Sequence, residues 1–337
     1  MRNLRGAVAW TVLALLTCPA VPAEAQAPPG LSGTIVVANK QAATATFIDL
    51  ESGRIVGTVP TGQGPHELLV SSDGRRAVVT DYGGQGGGRT LTVLDVASAS
   101  LERTIELGDF RRPHGAAFLP GDTVVAVTAE ASRAVVLVQV TDGEIVGVLE
   151  TGAEGSHMVA ATADGAWLYT GDIGSGTVSE LDRRRLVKTR SFEAAPQPEA
   201  ITVSPDGGRV FVGSNSEGTV SEIRTDDGRR REIADGFGWP YRIFLTPGVE
   251  QILVPDLSRQ ELRFFDGASY EELGRLDFAG GGPQGLTLHP NGRHLFLSLS
   301  AEGRIAIVDV HERSVVGYLP AGDSPDGIGY SPLTVSR

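Results

Sequence analysis

The stretch Ala200–Ile223, AITVSPDGGRVFVGSNSEGTVSEI, decides the reading of the whole chain. An apolar run ends at an Asp-Gly turn, a second apolar run follows, and a polar loop leads to an alternating run. Short runs rich in Val, Ile and Phe, cut by tight Gly-containing turns, read as antiparallel strands joined by hairpins. A fourth strand follows in related stretches, as in RIVGTVPTG from Arg54 and SVVGYLPAG from Ser314.

The same unit recurs along the chain. Each copy opens on a short turn, usually Pro, then a variable residue and an apolar run: Pro65-His66, Pro113-His114, Ser156-His157, Pro198-Glu199, Pro240-Tyr241, Pro283-Gln284 and Pro325-Asp326. The variable residues are spaced by 48, 43, 42, 42, 43 and 42 positions. Four strands in a unit of about 40 residues is the pattern of a β-propeller blade. Gly33–Gly64 supplies three strands without a first, and Pro325–Pro332 supplies a first strand without the rest. Together they complete one blade, which predicts an all-β, seven-bladed β-propeller closed by pairing the N- and C-terminal strands, with no open sheet edge around the ring.

The units AITVSPDGGRVFVGSN and GLTLHPNGRHLFLSLS, with degenerate tetrapeptides VVAN at Val36, VVTD at Val78, AVTA at Ala126 and FVGS at Phe211, resemble the bacterial YVTN-type β-propeller repeats. The resemblance covers nearly all of residues 33–333 and implies the fold. It does not imply one function, since such propellers include binding scaffolds, surface proteins, lactonases, lyases and domains of metalloenzymes.

The first residues carry Arg2 and Arg5, an apolar run from Ala7 to Leu16, and Ala23-Glu24-Ala25. This pattern predicts a secretory signal over residues 1–25, a linker over 26–32, the propeller over 33–333 and a tail over 334–337. Cys18 follows Leu15-Leu16-Thr17, a departure from the small residues of a lipoprotein box, so cleavage after Ala25 is favoured over lipid anchoring. The expectation is a periplasmic or secreted monomer with no integral membrane span. Without residues 1–25, 27 basic and 40 acidic residues remain, a net charge of −13, which argues against nucleic acid as a partner. Cys18 is the single cysteine, so the remaining chain has no disulfide, thiolate metal site or Cys nucleophile.

In a propeller, the start of each inner strand lies at one mouth of the central channel. The ring is then His66, His114, His157, Glu199, Tyr241, Gln284 and Asp326, all polar or able to hydrogen-bond. Histidines from three consecutive blades with Glu199 form a candidate ligand set for a divalent Zn, Cu or Fe ion. Such a site can activate water, with Glu199, Asp326 or Asp172 as candidate bases. Tyr241, Gln284, Arg242, Arg112 and Asp81 are candidate ligand-binding residues, and the glycine-rich insertion DYGGQGGGRT from Asp81 is expected beside the same mouth.

No haem-attachment motif, dinucleotide fingerprint, H-E-x-x-H or G-x-S-x-G occurs, so no haem or nicotinamide cofactor is indicated. Two functional expectations follow. One is a propeller that binds a small molecule or metal ion at the mouth, with hydrolase or lyase activity of lactonase type. The other is a non-catalytic scaffold for a protein or polymer, including a periplasmic protein partner.

Overall fold

The computed structural model describes residues 27–336. Residues 1–25, read above as a signal, lie outside them except as a sequence expectation. Seven four-stranded antiparallel sheets follow one another in chain order. We number the blades by their inner strands: Pro65–Val70 (blade 1), Pro113–Phe118 (2), Ser156–Ala161 (3), Pro198–Val203 (4), Phe244–Leu245 (5), Pro283–Leu288 (6) and Pro325–Ser331 (7). Blade 7 is the shared blade expected from the sequence. Its inner strand comes from the C-terminus and pairs antiparallel with Thr34–Asn39, with Thr34 opposite Ser331 and Val37 opposite Ile328.

Between neighbouring blades lie apolar layers, such as Val36, Phe47, Leu68, Val79 and Leu94 between blades 7 and 1. The second and third strands read as continuous apolar runs because both their faces are covered; Thr34–Asn39 is buried at every position. The fourth strands alternate and are largely exposed, as in Arg54–Pro60. The C-terminal tail continues the closure: Val335 packs on the layer between blades 7 and 1, and the Ser336 N–H donates to the Ala97 carbonyl at 2.7 Å.

One backbone contact repeats in all seven blades and fixes the mouth. The carbonyl of the residue before each inner strand or, in blade 5, before the isolated Pro240–Asp256 bridge that precedes it (Gly64, Arg112, Gly155, Gln197, Trp239, Gly282, Ser324) accepts from the N–H of the residue after the second strand. The donors are Tyr82, Glu130, Ile173, Asn215, Leu257, Ser300 and Lys40. In six blades the residue before the inner strand is left-handed, including the non-glycine Arg112, Gln197 and Ser324 at φ near 55°. Such residues hold a costly conformation only when the surrounding structure enforces it. Trp239 is the exception.

Among the described residues no helix is long and apolar enough to cross a membrane.

Candidate functional site at the channel mouth

Side chains alternate along a strand, so adjacent residues at the end of each second strand have different tasks. In four blades the last strand residue turns into the blade and brackets the turn that leads to the inner strand. Asp81 accepts from the Gly62 N–H (3.0 Å) and from the hydroxyls of Thr90 (2.8 Å) and Thr92 (2.9 Å). Asp172 accepts from Ser156, Thr170, Thr177 and Ser179 at 2.6–3.0 Å. Asp256 takes the N–H groups of Gly238 and Trp239, and Asn39 does the same for Gly322 at 3.0 Å. A side chain at Gly322 would collide with Asn39 at 2.5 Å, so the bracket requires glycine there. The structure therefore places Asp81, expected at the ligand, and Asp172, expected as a base, inside blade brackets with their oxygens hydrogen-bonded. The next residue reaches the rim in four blades, as Lys40, Tyr82, Glu130 and Asn215.

All seven ring residues stand at the mouth on their inner strands or, for Tyr241, just before it. Six of them, with the neighbouring Glu67 and Arg242, fall into three groups. In the first, His66 Nε2 lies 3.1 Å from His114 Nε2, while His66 Nδ1 faces Asp326 at 3.1 Å and Glu67 at 3.3 Å. With two carboxylates before it, Nδ1 carries the proton, and Nε2 is left to face His114. Asp326 is fully buried; it also accepts from Tyr241 OH at 3.1 Å and lies 3.5 Å from Lys40 Nζ.

In the second, His157 stands between two carboxylates, with Nδ1 2.7 Å from Glu130 and Nε2 3.8 Å from Glu199. Glu199 also accepts from Asn215 Nδ2 and from Trp239 Nε1 at 3.1 Å. In the third, Arg242 of blade 5 crosses the channel to pair with Glu67 of blade 1, its guanidinium 4.1 Å from the centre of the Tyr241 ring. On the far side of this pair a cavity of about 310 Å³ runs along the inner strands between Leu68, Val70, Phe244, Leu286 and Tyr330.

Electrostatics separates the histidines. Burial pushes His114 well below the usual imidazole pKa, and the neighbouring His157 and His66 add to the effect. Burial also opposes charge on His157, but the hydrogen bonds and charges of Glu130 and Glu199 outweigh it and raise its pKa. Those two carboxyls are held below their ordinary value, against burial, chiefly by His157. Burial likewise opposes charge on Glu67, yet Arg242 and His66 hold it at about 2. His114, whose pKa is lowered, thus lies against His157, whose pKa is raised, with ring centres 3.6 Å apart and planes tilted by 31°.

This geometry divides the expected metal set. Both His157 nitrogens face carboxylates, Nδ1 toward Glu130 and Nε2 toward Glu199, which groups His157 with Glu199 beside the closer His66–His114 pair. Among the described residues, the group spaced to hold an ion is His66, Glu67 and His114, with one ligand atom from each within 4.8 Å of the others. Two further ring atoms, His114 Nδ1 and Gln284 Oε1, are buried without a hydrogen-bond partner among the described residues.

Glu67 was not foreseen. Its column in the repeat reads Glu67, Gly115, Met158, Ala200, Arg242, Gly285, Gly327, and two opposite charges in an otherwise small or apolar column were the available signal. Arg112 reaches the rim, donating to Tyr82 OH at 3.1 Å and lying 3.7 Å from Glu130. The glycine-rich insertion folds back beside it, with the Arg112 N–H donating to the Gly88 carbonyl at 2.8 Å.

No curated protein matches the chain. A YNCE-like beta-propeller family matches residues 20–123. Among solved structures, the chain is similar to a functionally unknown protein from Desulfotomaculum acetoxidans, with 15% identity, a TM-score of 0.73, and 90% of this chain and 100% of that one covered. It is also similar to a periplasmic gluconolactonase of Pseudomonas aeruginosa (15% identity, TM-score 0.71, 90% and 99% covered) and to Kuenenia stuttgartiensis hydrazine synthase (17%, 0.68, 91% and 99%). At these identities the likeness shows the fold. Seven blades built from one repeat, with the YNCE-like match over the N-terminal third, agree with the resemblance read from the sequence: the chain is a seven-bladed β-propeller similar to YVTN-type repeat proteins.

Proposed function

We propose that this propeller works outside the cytoplasm, binds a small polar molecule at the channel mouth, and hydrolyses a lactone there with the help of a divalent metal ion. The observation that carries the reading is the approach of His66 Nε2 and His114 Nε2 to 3.1 Å with the Glu67 carboxylate in reach. Two nitrogens at that separation can both stand ~2.0–2.1 Å from one ion at an angle of roughly 100°. The donor set fits as well: two imidazoles and a carboxylate suit Zn²⁺, Cu²⁺ or Fe²⁺ and leave positions open. Asp326 fixes the His66 tautomer from the far nitrogen, as carboxylates behind metal-bound histidines do. An ion held there supplies Lewis acidity toward a carbonyl and makes bound water more acidic.

The remaining residues have roles of their own. Glu130 favours the protonated form of His157 through Nδ1, and when the ring is protonated the looser Nε2 proton, 3.8 Å from Glu199, is the one that can be given to a departing alkoxide. Asp326, hydrogen-bonded by Tyr241 and facing His66, orients rather than abstracts; Glu199, held acidic, is a weak base. A periplasmic gluconolactonase and two proteins described as putative 6-phosphogluconolactonases among the structural neighbours support the lactone class.

The test is hydrolysis of a lactone panel by pH-stat, on protein equilibrated with Zn²⁺ or stripped with chelator. Metal-dependent turnover, lost in His66→Ala/His114→Ala together with bound metal, is the expected result. No turnover of any lactone under either condition overturns the enzymatic reading, and bound metal without turnover leaves a binding propeller.

A further inference from the structure

We infer that the mouth takes a polyhydroxylated ring, a sugar-derived lactone, held flat against Trp239. This inference rests on the small-molecule reading of the mouth and narrows its substrate class. Exposed large apolar side chains elsewhere among the described residues lie on or beside the outer strands, as with Ile55, Leu101, Val146 and Leu273; Trp239, 36% exposed, is the one at the mouth. Its indole is anchored at the edge, with Nε1 donating to Glu199 at 3.1 Å, and its ring centre lies 6.2 Å from that of buried Tyr241. The indole is thus fixed in place, tilted 57° to the buried Tyr241 ring, while Trp239 itself stays exposed.

Trp239 also marks the point where the repeat breaks its own rule. It is the residue before the inner strand that is not left-handed, and the strand after it shrinks to Phe244–Leu245 plus an isolated bridge between Pro240 and Asp256. Local departures from an otherwise consistent pattern concentrate at functional positions. On the opposite arc of the ring Tyr82 stands edge-on to His66 and His114, with centroids 5.8 and 5.2 Å away, and its OH faces Glu130 and Arg112.

Two aromatic flanks separated by planar hydrogen-bonding groups match the two kinds of surface on a sugar ring. The C–H face packs on an aromatic plane, and the hydroxyl edge pairs with carboxylate, amide and guanidinium groups such as Glu199, Asn215 and Arg112. An unsubstituted lactone offers the reactive carbonyl but no hydroxyl edge, so it forfeits the rim contacts.

Isothermal titration with D-glucono-1,5-lactam, which keeps the ring and hydroxyls but resists hydrolysis, and with δ-valerolactam, the same ring without hydroxyls, tests this. The sugar lactam is expected to bind, the bare lactam to bind about tenfold more weakly or worse, and Trp239→Ala to weaken the sugar lactam by a similar factor, with Trp239→Phe in between. Circular dichroism checks that the variants are folded. Equal binding of both lactams, or an unchanged affinity in folded Trp239→Ala, overturns the inference. Hydrolysis of simple lactones without binding of the sugar lactam also overturns it while leaving the hydrolase reading intact.

Discussion

Arg242 and Glu67 meet across the central channel, a guanidinium from blade 5 against a carboxylate from blade 1, with both side chains close to nine-tenths buried. The pair links blades that are not neighbours and shares its carboxylate with the His66–His114 group. Removing one partner strands the other charge in the interior. Arg242→Leu is therefore expected to cost about 3–5 kcal/mol in urea unfolding, and Arg242→Leu/Glu67→Leu to cost clearly less than the two single variants summed. Additive losses would mean that the two side chains do not act as a pair.

The same pair sets an acid limit. Glu67 has a pKa of about 2 in the folded protein against an ordinary value of 4.5. A carboxyl lowered on folding contributes stability above its unfolded pKa and loses it as pH falls through the folded one. Stability is expected to drop between pH 4.5 and 2 in the wild type, and Glu67→Gln to flatten that part of the profile. Equal slopes in both proteins would remove Glu67 from the explanation.

Asp81 has the opposite sign. Burial raises its carboxyl to about 6 despite the hydroxyls of Thr90 and Thr92. Folding therefore becomes less favourable as pH rises from about 4 to 6, because the unfolded chain releases this proton first. Blade 7 places Asn39 at the equivalent position, where it donates to Thr44 and Thr46 and accepts from Gly322. Asp81→Asn is thus expected to raise stability above pH 6 by about 1–3 kcal/mol, with little change at pH 4. A loss at neutral pH would show that the carboxylate itself is required.

His157 and His114 are expected to titrate on opposite sides of the ordinary imidazole value when followed by NMR, His157 above and His114 below. Because the His157 pKa is raised on folding, its stabilisation is present below the unfolded value and disappears as pH rises through the folded one. Glu130→Gln should lower the His157 pKa, since it removes the 2.7 Å partner of Nδ1. An unmoved titration would contradict that assignment.

Closure by the C-terminus makes the last strand indispensable. Deleting residues 325–337 removes the inner strand of blade 7 and exposes Thr34–Asn39 as an open edge, so loss of the native circular-dichroism spectrum or aggregation is expected. Deleting only residues 334–337 removes Val335 and one backbone hydrogen bond, and is expected to cost about 1–2 kcal/mol. A folded, monomeric protein lacking residues 325–337 would contradict the closure.

The ring was legible in the sequence because a fixed spacing carries each inner strand to the same height, whatever side chain it bears there. Asp81 was expected at the ligand and Asp172 as a base because both end second strands at the mouth, but they sit one residue from the rim, and in a strand one residue reverses the direction of the side chain. Glu130 and Asn215, one step further along, do reach it. That His114 stacks on His157 while its Nε2 turns to His66 depends on rotamers and on the charge of Glu130, neither of which periodicity encodes. The cross-channel pair joins residues 175 positions apart, and only the closed ring brings them together.

The most direct test of the central claim is metal content after equilibration with Zn²⁺ and gel filtration, measured by elemental analysis on the wild type, His66→Ala/His114→Ala and His157→Ala. The account expects about one equivalent in the wild type, none in the double variant, and retention in His157→Ala, whose side chain stands outside the His66–Glu67–His114 group. No metal in the wild type, or an equal amount in the folded double variant, would contradict it.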